Sequence, residues 1–126
     1  MATEGLNHFN IAAPAELLAR VRDFYVDVVG LEEGYRPDFG IPGHWLYAGG
    51  HAVLHLMEVE ASGPEPTGTP GFLDHVAFTC GDLEGTERHL QRLGVEYRKS
   101  DLRDFGLIQL FVRDPTGLGV EMNFAV

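Results

Sequence analysis

Residues Leu107 to Phe124 read LIQLFVR, DPTG and LGVEMNF in succession, and this stretch decides the fold. Pro115 and Gly117, which lie between two apolar runs, predict a tight turn between two strands. Glu121 then falls in the middle of the second strand. An unpaired charge there would cost several kcal/mol, so the carboxylate of Glu121 needs a cationic partner.

Two histidines in matching contexts make a metal ion the favoured partner. His8 lies in the run LNHFNI and His75 lies in the run LDHVAF, each at the second position after a leucine. Both runs are short and strand-like, and each begins one half of the chain. Two histidines and one carboxylate therefore define a possible metal site.

The composition limits the classes of partner. A chain of 126 residues that is 44% hydrophobic fits one compact domain with a full core. The net charge of -10, from 9 basic and 19 acidic residues, argues against a nucleic acid or an anionic membrane surface as partner. The start of the chain does not resemble a signal peptide, and no run approaches the roughly 20 apolar residues of a membrane span. We therefore expect a cytoplasmic protein, in which the single Cys80 excludes an internal disulfide framework.

Both halves of the chain have the same predicted order of elements. The first half is expected to form a strand at 5–12, a helix from 13 to 29, a loop at 31–43 and a hairpin at 44–58. The second half is expected to form a strand at 73–79, a helix at 82–93, a short strand at 95–99 and the closing hairpin. Prolines and glycines without periodicity mark 60–71 as a linker between modules 5–59 and 72–126.

Corresponding features of the two halves lie at a nearly constant distance along the chain. His8 and His75 are 67 residues apart, His55 and Glu121 are 66 apart, and the helix-ending glycines at 30 and 94 are 64 apart. An internal duplication leaves this pattern. The sequence therefore predicts two β-α-β-β-β units.

This repeat resembles the vicinal oxygen chelate superfamily, which includes glyoxalases, bleomycin-resistance proteins and extradiol dioxygenases. The resemblance is carried by HVAF at 75–78 and by FVRDPTGLGVE at 111–121, and it covers nearly the whole chain. It implies an α+β fold in one domain, with two βαβββ modules that each form half of an open β-barrel. The metal is then expected in the cleft that the modules form.

The resemblance also implies a set of site residues. His8, His75 and Glu121 match the positions of three metal ligands, and His55 matches a further, catalytic position. Imidazole and carboxylate donors suit a divalent ion, with Fe(II) favoured and Mn(II), Ni(II) or Zn(II) also suitable.

His55 lies in the apolar run AVLHLM, and three interpretations stay open. It is a buried structural histidine bonded to a backbone carbonyl, a fourth metal ligand, or an acid–base group with a pKa near neutrality. Glyoxalase I has a carboxylate at this position, whereas extradiol dioxygenases have a histidine that acts as acid and base. Three protein ligands leave positions for two substrate oxygens and dioxygen, whereas a fourth ligand favours isomerase, lyase or epimerase chemistry.

Four further residues carry weaker expectations. Phe111 stands where dioxygenases commonly have a tyrosine, which weakens the dioxygenase interpretation because phenylalanine cannot donate a hydrogen bond. Trp45 and Gln109 lie on strands that have one face toward the cleft, although core packing is favoured for Trp45. Arg36 either steers an anionic substrate or is solvated.

The resulting hypothesis is a metal-dependent enzyme acting on a small molecule through two adjacent oxygens, most concretely an extradiol-type dioxygenase. The alternatives are a glyoxalase-like lyase, isomerase or epimerase, and a non-catalytic drug-binding protein. Small members of the family pair as homodimers, so we expect His8 and His55 of one chain to join His75 and Glu121 of the other. The sequence leaves open whether the modules close within one chain or across two.

Overall fold

The structure is a computed structural model that describes residues 1, 3–60 and 72–126. The chain divides into two compact units, Met1–Pro64 and Glu65–Val126. The boundary falls inside the expected linker 60–71, of which residues 61–71 lie outside the described part. Each unit is therefore described by itself.

The first unit has the order expected of one module. Its strands form a single sheet in the order β1-β4-β3-β2, in which β1 is parallel to β4 and the other pairs are antiparallel. The elements are β1 (Phe9–Ala13), α1 (Ala15–Phe24), a π-helical turn (Tyr25–Val29), β2 (Glu32–Gly34), β3 (Gly43–Ala48) and β4 (His51–Glu58).

The second unit repeats this topology, with strand order β5-β8-β7-β6. Its elements are β5 (His75–Cys80), α2 (Leu83–Leu93), β6 (Arg98–Leu102), a 3-10 turn (Arg103–Phe105), β7 (Leu107–Arg113) and β8 (Gly119–Ala125). Strand β5 is parallel to β8, and the remaining pairs are antiparallel. Two βαβββ modules in an α+β fold are thus confirmed.

The first helix is shorter than its apolar stripe suggests. Leu18, Val21 and Tyr25 are buried as expected, but α1 ends at Phe24 and continues as the π-helical turn up to Gly30. Gly30 has a φ of 91°, a left-handed conformation that suits glycine. The spacing of apolar residues does not distinguish an α-helix from a short π-helical turn. The turn changes the direction of only the last few side chains.

Several strands differ from the expectation, and β5 for example begins at His75 rather than at residue 73. Strand β1 begins at Phe9 rather than at residue 5, and β6 spans Arg98–Leu102 rather than 95–99. Strand β2, with only three exposed residues, lies within the stretch that was expected to be a loop. Because β2 and β6 are edge strands with few apolar residues, their sequences lack the alternation that marks a half-buried strand.

The closing hairpin separates a core face from an open face. Alternate residues of β7 and β8 are buried, and the residues between them lie on the opposite face. The buried set is Ile108, Leu110, Val112, Val120, Met122 and Phe124.

Within residues 1, 3–60 and 72–126, no helix is both long and apolar enough to cross a membrane.

Asp114 fixes the turn between these two strands. The side chain is 5% exposed, and its Oδ1 accepts hydrogen bonds from the Thr116 amide at 2.8 Å, the Thr116 hydroxyl at 2.6 Å and the Leu118 amide at 3.0 Å. The register that follows sets Glu121 directly across from Phe111. The turn therefore decides which face of β8 carries Glu121.

Candidate functional site

His75 and Glu121 meet on the open face of the second unit. They lie on the neighbouring parallel strands β5 and β8, and Glu121 pairs with Ala77, two residues after His75. The Nε2 atom of His75 is 3.4 Å from Oε1 of Glu121, whose side chain is 14% exposed. One imidazole nitrogen and one carboxylate oxygen therefore face a common point.

Asp74 orients the ring of His75. The Nδ1 atom of His75 donates to Oδ2 of Asp74 at 2.8 Å, which leaves Nε2 on the side of Glu121. The hydrogen bond to Asp74 raises the pKa of His75, and the negative charge of Glu121 raises it further. Metal-binding histidines commonly donate their second ring nitrogen to a carboxylate in this way.

Gln109 holds the other oxygen of Glu121. Its Nε2 atom donates to Oε2 of Glu121 at 3.3 Å and to Oδ1 of Asn123 at 3.2 Å. Glu121 thus keeps one oxygen toward His75 while the second is bonded within the sheet. Gln109 was expected on a cleft-lining face, and the structure adds its role in positioning Glu121.

A cavity of about 1010 Å³ opens beside this pair within the second unit. Its walls include His75, Glu121, Arg98 and Phe111. The guanidinium carbon of Arg98 lies 4.1 Å from the centre of the Phe111 ring. Phe111 therefore contributes an apolar wall that is covered by the guanidinium of Arg98.

Three stacked rings occupy the equivalent face of the first unit. The ring of His55 lies between His8, at 3.7 Å and an interplanar angle of 14°, and Trp45, at 4.1 Å and 9°. Trp45 and His55 are cross-strand partners in β3 and β4. The expectation that Trp45 packs in the core is wrong. Trp45 and the buried Leu46 are neighbours on β3, so their side chains lie on opposite faces of the sheet.

The residue before each histidine plays the same part in both units. Nδ1 of His8 is 2.8 Å from Oδ1 of Asn7, which matches the contact between His75 and Asp74. In each unit, an imidazole is therefore oriented by the side chain that precedes it. Asn7 and Asp74 were not among the residues predicted from the sequence, although a polar residue before each of these two histidines is a visible signal.

His55 is more buried than His8, which is exposed. Burial lowers the pKa of His55, and electrostatic interactions with His8 and Arg36 lower it further, while a hydrogen bond to the backbone of Ala52 opposes the change. The neutral imidazole is thus favoured, with one nitrogen bonded to the backbone. The second nitrogen can accept a proton.

The described residues bring the expected site together as two pairs. His75 and Glu121 form one pair within the second unit, and His8 and His55 form the other within the first. Among residues 1, 3–60 and 72–126, no group of three or more His, Cys, Asp or Glu side chains is arranged to hold a metal ion. The donor chemistry of each pair nevertheless fits a divalent ion, because each has a histidine oriented by a side-chain oxygen.

Comparisons with known proteins identify the family. The model of the Glyoxalase/Bleomycin resistance protein/Dioxygenase superfamily matches residues 5–122. The chain is 28% identical over 127 aligned positions to Glyoxylase I 4 of Arabidopsis thaliana, with 93% of this chain and 68% of that protein covered.

Solved structures share the fold. A glyoxalase family protein from Bacillus anthracis has a TM-score of 0.75 at 23% identity, with 100% of this chain and 98% of that chain covered. Lactoylglutathione lyase from Agrobacterium tumefaciens has a TM-score of 0.67 at 19% identity, with 98% and 96% covered. The repeated βαβββ topology and the match over residues 5–122 lead to one conclusion: this chain belongs to the Glyoxalase/Bleomycin resistance protein/Dioxygenase superfamily.

Proposed function

We propose that the chain is a metal-dependent enzyme that acts on a small molecule through two adjacent oxygens, with His8, His75 and Glu121 as the metal ligands. The observation that carries the proposal is the pair formed by His75 and Glu121, with Asp74 holding the ring so that Nε2 faces the carboxylate. Asn7 supports the same role for His8. When bound, the divalent ion supplies Lewis acidity and, as Fe(II), redox chemistry toward dioxygen.

The stacking of His8 on His55 favours a single imidazole ligand from the first unit. An imidazole binds a metal through a lone pair in the plane of its ring. Because the two rings are nearly parallel and 3.7 Å apart, no point about 2 Å from a nitrogen of each lies in both planes. We assign the ligand role to His8, since Asn7 orients it as Asp74 orients His75.

His55 is then an acid–base group. The lowered pKa of His55 favours the neutral ring, which can take a proton from a substrate hydroxyl and return that proton later. A three-ligand set with a separate histidine base is the arrangement that a resemblance to extradiol dioxygenases implies. This chemistry, with Fe(II), is the first candidate.

The test is oxygen uptake by protein purified without oxygen and loaded with Fe(II). With a panel of catechols, we expect uptake together with a yellow ring-cleavage product, and both should disappear in the Glu121→Gln variant. Absence of uptake with every catechol would reject the dioxygenase proposal. Retention of bound Fe(II) by that variant would reject the ligand assignment.

A second candidate follows from the similarity to Glyoxylase I 4 of Arabidopsis thaliana. It is a lyase, isomerase or epimerase that uses Ni(II), Mn(II) or Zn(II), in which His55 moves a proton on a carbon next to a carbonyl. Hemithioacetals and 2-oxo compounds are the probes, and turnover should require one of these metals. Lack of turnover with all three metals would exclude this chemistry.

A further inference from the structure

Arg36 lies on the same face of the first unit as Trp45 and His55. A β-carbon built on Gly43 would be 2.8 Å from Nη2 of Arg36, so the guanidinium covers Gly43 on the side to which that β-carbon points. Gly43 and Trp45 are two residues apart on β3 and therefore face the same side. The guanidinium is thus roughly 7 Å along the strand from the Trp45–His55 stack.

The guanidinium of Arg36 is held in place by contacts with Phe39 and Ile41 of its own loop. Nη1 of Arg36 donates to the carbonyl of Ile41 at 2.9 Å, and the guanidinium carbon lies 5.1 Å from the centre of the Phe39 ring. The side chain is only partly exposed. Loop 35–42 therefore holds a cation at the edge of the ring stack.

The charge of Arg36 is not balanced by an ion pair. Within the described residues, no carboxylate lies within 4.0 Å of its nitrogen atoms, although the chain contains 19 acidic residues. Its Nε is buried and has no hydrogen-bond partner in that part of the chain. A partly buried cation without a counter-ion is costly, so its retention here favours an anionic ligand. Arg98 makes a weaker case, because an exposed guanidinium needs no partner.

We propose that Arg36 binds the carboxylate of the substrate, so that the substrate class is a small carboxylic acid that also carries two adjacent metal-binding oxygens. This inference rests on the proposed function. A guanidinium recognises a carboxylate through two parallel hydrogen bonds, and the Phe39 ring beside the guanidinium limits the directions in which Arg36 can point. The carboxylate thereby fixes the orientation of the substrate beside His55.

The test compares an acid with its neutral ester. Protocatechuate and its methyl ester carry the same pair of adjacent hydroxyl groups, and titration calorimetry of the Mn(II)-loaded protein gives a Kd for each. We expect the acid to bind about tenfold more tightly or better. In Arg36→Gln the ratio of the two Kd values should fall to about one, while the Kd of the ester stays unchanged.

Two further variants separate recognition from folding. Arg20→Gln removes one positive charge from an exposed position on α1 and should keep the preference for the acid. Arg36→Lys keeps the positive charge but lacks the planar guanidinium, and it should keep only part of the preference for the acid. The fluorescence of Trp45, the single tryptophan, checks that the loop and the ring stack are intact.

The outcomes distinguish the two proposals. Equal Kd values for acid and ester in the wild-type protein, or an equal loss of both in Arg36→Gln, would overturn the role of Arg36 alone. If the protein binds Mn(II) but neither ligand, the proposed chelation of adjacent oxygens is overturned together with this inference.

Discussion

Gly119 lies directly across from His75 in the parallel pair of β5 and β8, and there is no room for a side chain between them. A β-carbon on Gly119 would be 3.0 Å from the carbonyl oxygen of Asp74 and 3.1 Å from the β-carbon of His75. The glycine therefore allows the strand that carries Glu121 to approach the strand that carries His75.

We expect Gly119→Ala to fold and to bind metal about 10–100-fold more weakly, because His75 must move relative to Glu121. Metal titration of the purified variant checks this. Gly81→Ala is the matched control, since a β-carbon there meets no atom within 4 Å. Equal metal affinity for wild-type and Gly119→Ala would show that this close contact is irrelevant to the site.

The sharing of a site between two protomers can be tested by complementation. His8→Ala and His75→Ala each remove one proposed ligand and should abolish turnover in a homodimer. If His8 of one chain joins His75 of its partner, refolding the two variants together gives heterodimers with one complete site, and activity returns to about a quarter of wild type. Absence of any recovery, with light scattering confirming a mixed dimer, would assign each complete site to a single chain.

His55 is expected to govern the pH dependence of turnover. His55→Gln should retain metal and lose about 10²–10⁴-fold in rate, because no other group is assigned the proton. In the wild-type enzyme the rate should fall as the pH drops below the lowered pKa of His55, where the base becomes protonated. Trp45→Leu exposes the ring of His55 and should raise its pKa toward the ordinary value of 6.5. The pH below which the rate falls should then rise in the same direction. An unchanged pH dependence in that variant would contradict the role of burial.

Asp114 is expected to dominate the stability of the closing hairpin. Asp114→Ala leaves the Leu118 amide and the Thr116 groups without their acceptor and should lower the free energy of unfolding by about 1–3 kcal/mol. Urea unfolding gives the value. Asp104→Ala, at an exposed position, should stay within about 0.5 kcal/mol of wild type. Similar midpoints for the two variants would refute the structural role of Asp114.

Glu87 is expected to make stability sensitive to acid. The Lys99 ammonium and the Tyr97 hydroxyl bond to its carboxylate at 2.9 Å each, and the bond with Lys99 chiefly lowers the pKa of Glu87 below 4.5. Because the folded pKa is depressed, this stabilisation is present above pH 4.5 and is lost as the pH falls through the lower folded value.

The Glu87→Gln variant should therefore be less stable than wild type at neutral pH by about 0.5–1 kcal/mol, and the difference should vanish in strong acid. Thermal unfolding across this pH range measures the difference. Glu84→Gln is the control, because its side chain is 90% exposed. A stability difference that does not depend on pH would argue against the ion pair as its cause.

The repeated topology was predictable because each half has its own strong signals. The turn DPTG, the stops at Gly30 and Gly94 and the alternation of β8 are local features, and the structure has each of them where the sequence indicated. Edge strand β2 escaped prediction because its three exposed residues carry no pattern. The π-helical turn escaped because its apolar residues fit an α-helix equally well.

The candidate site was predictable only in part. Glu121 stood out as a charge within an apolar strand, and the repeat drew attention to His8 and His75. The stack of His55 on Trp45 depends on the cross-strand register, which is a relation between strands that no single segment encodes. The limit of one metal-binding imidazole in the stack of His8 and His55 likewise depends on the angle between the two rings.

The contacts that orient each histidine come from the neighbouring residue in the same unit, and this has an evolutionary consequence. The two modules share one topology, as an internal duplication leaves, and each has its own means of orienting an imidazole. Under the proposed function, position 55 and position 121 have diverged, one toward proton transfer and the other toward holding a cation. A change at position 55 would then alter the proton transfer while Asp74 and Gln109 go on holding His75 and Glu121 in place.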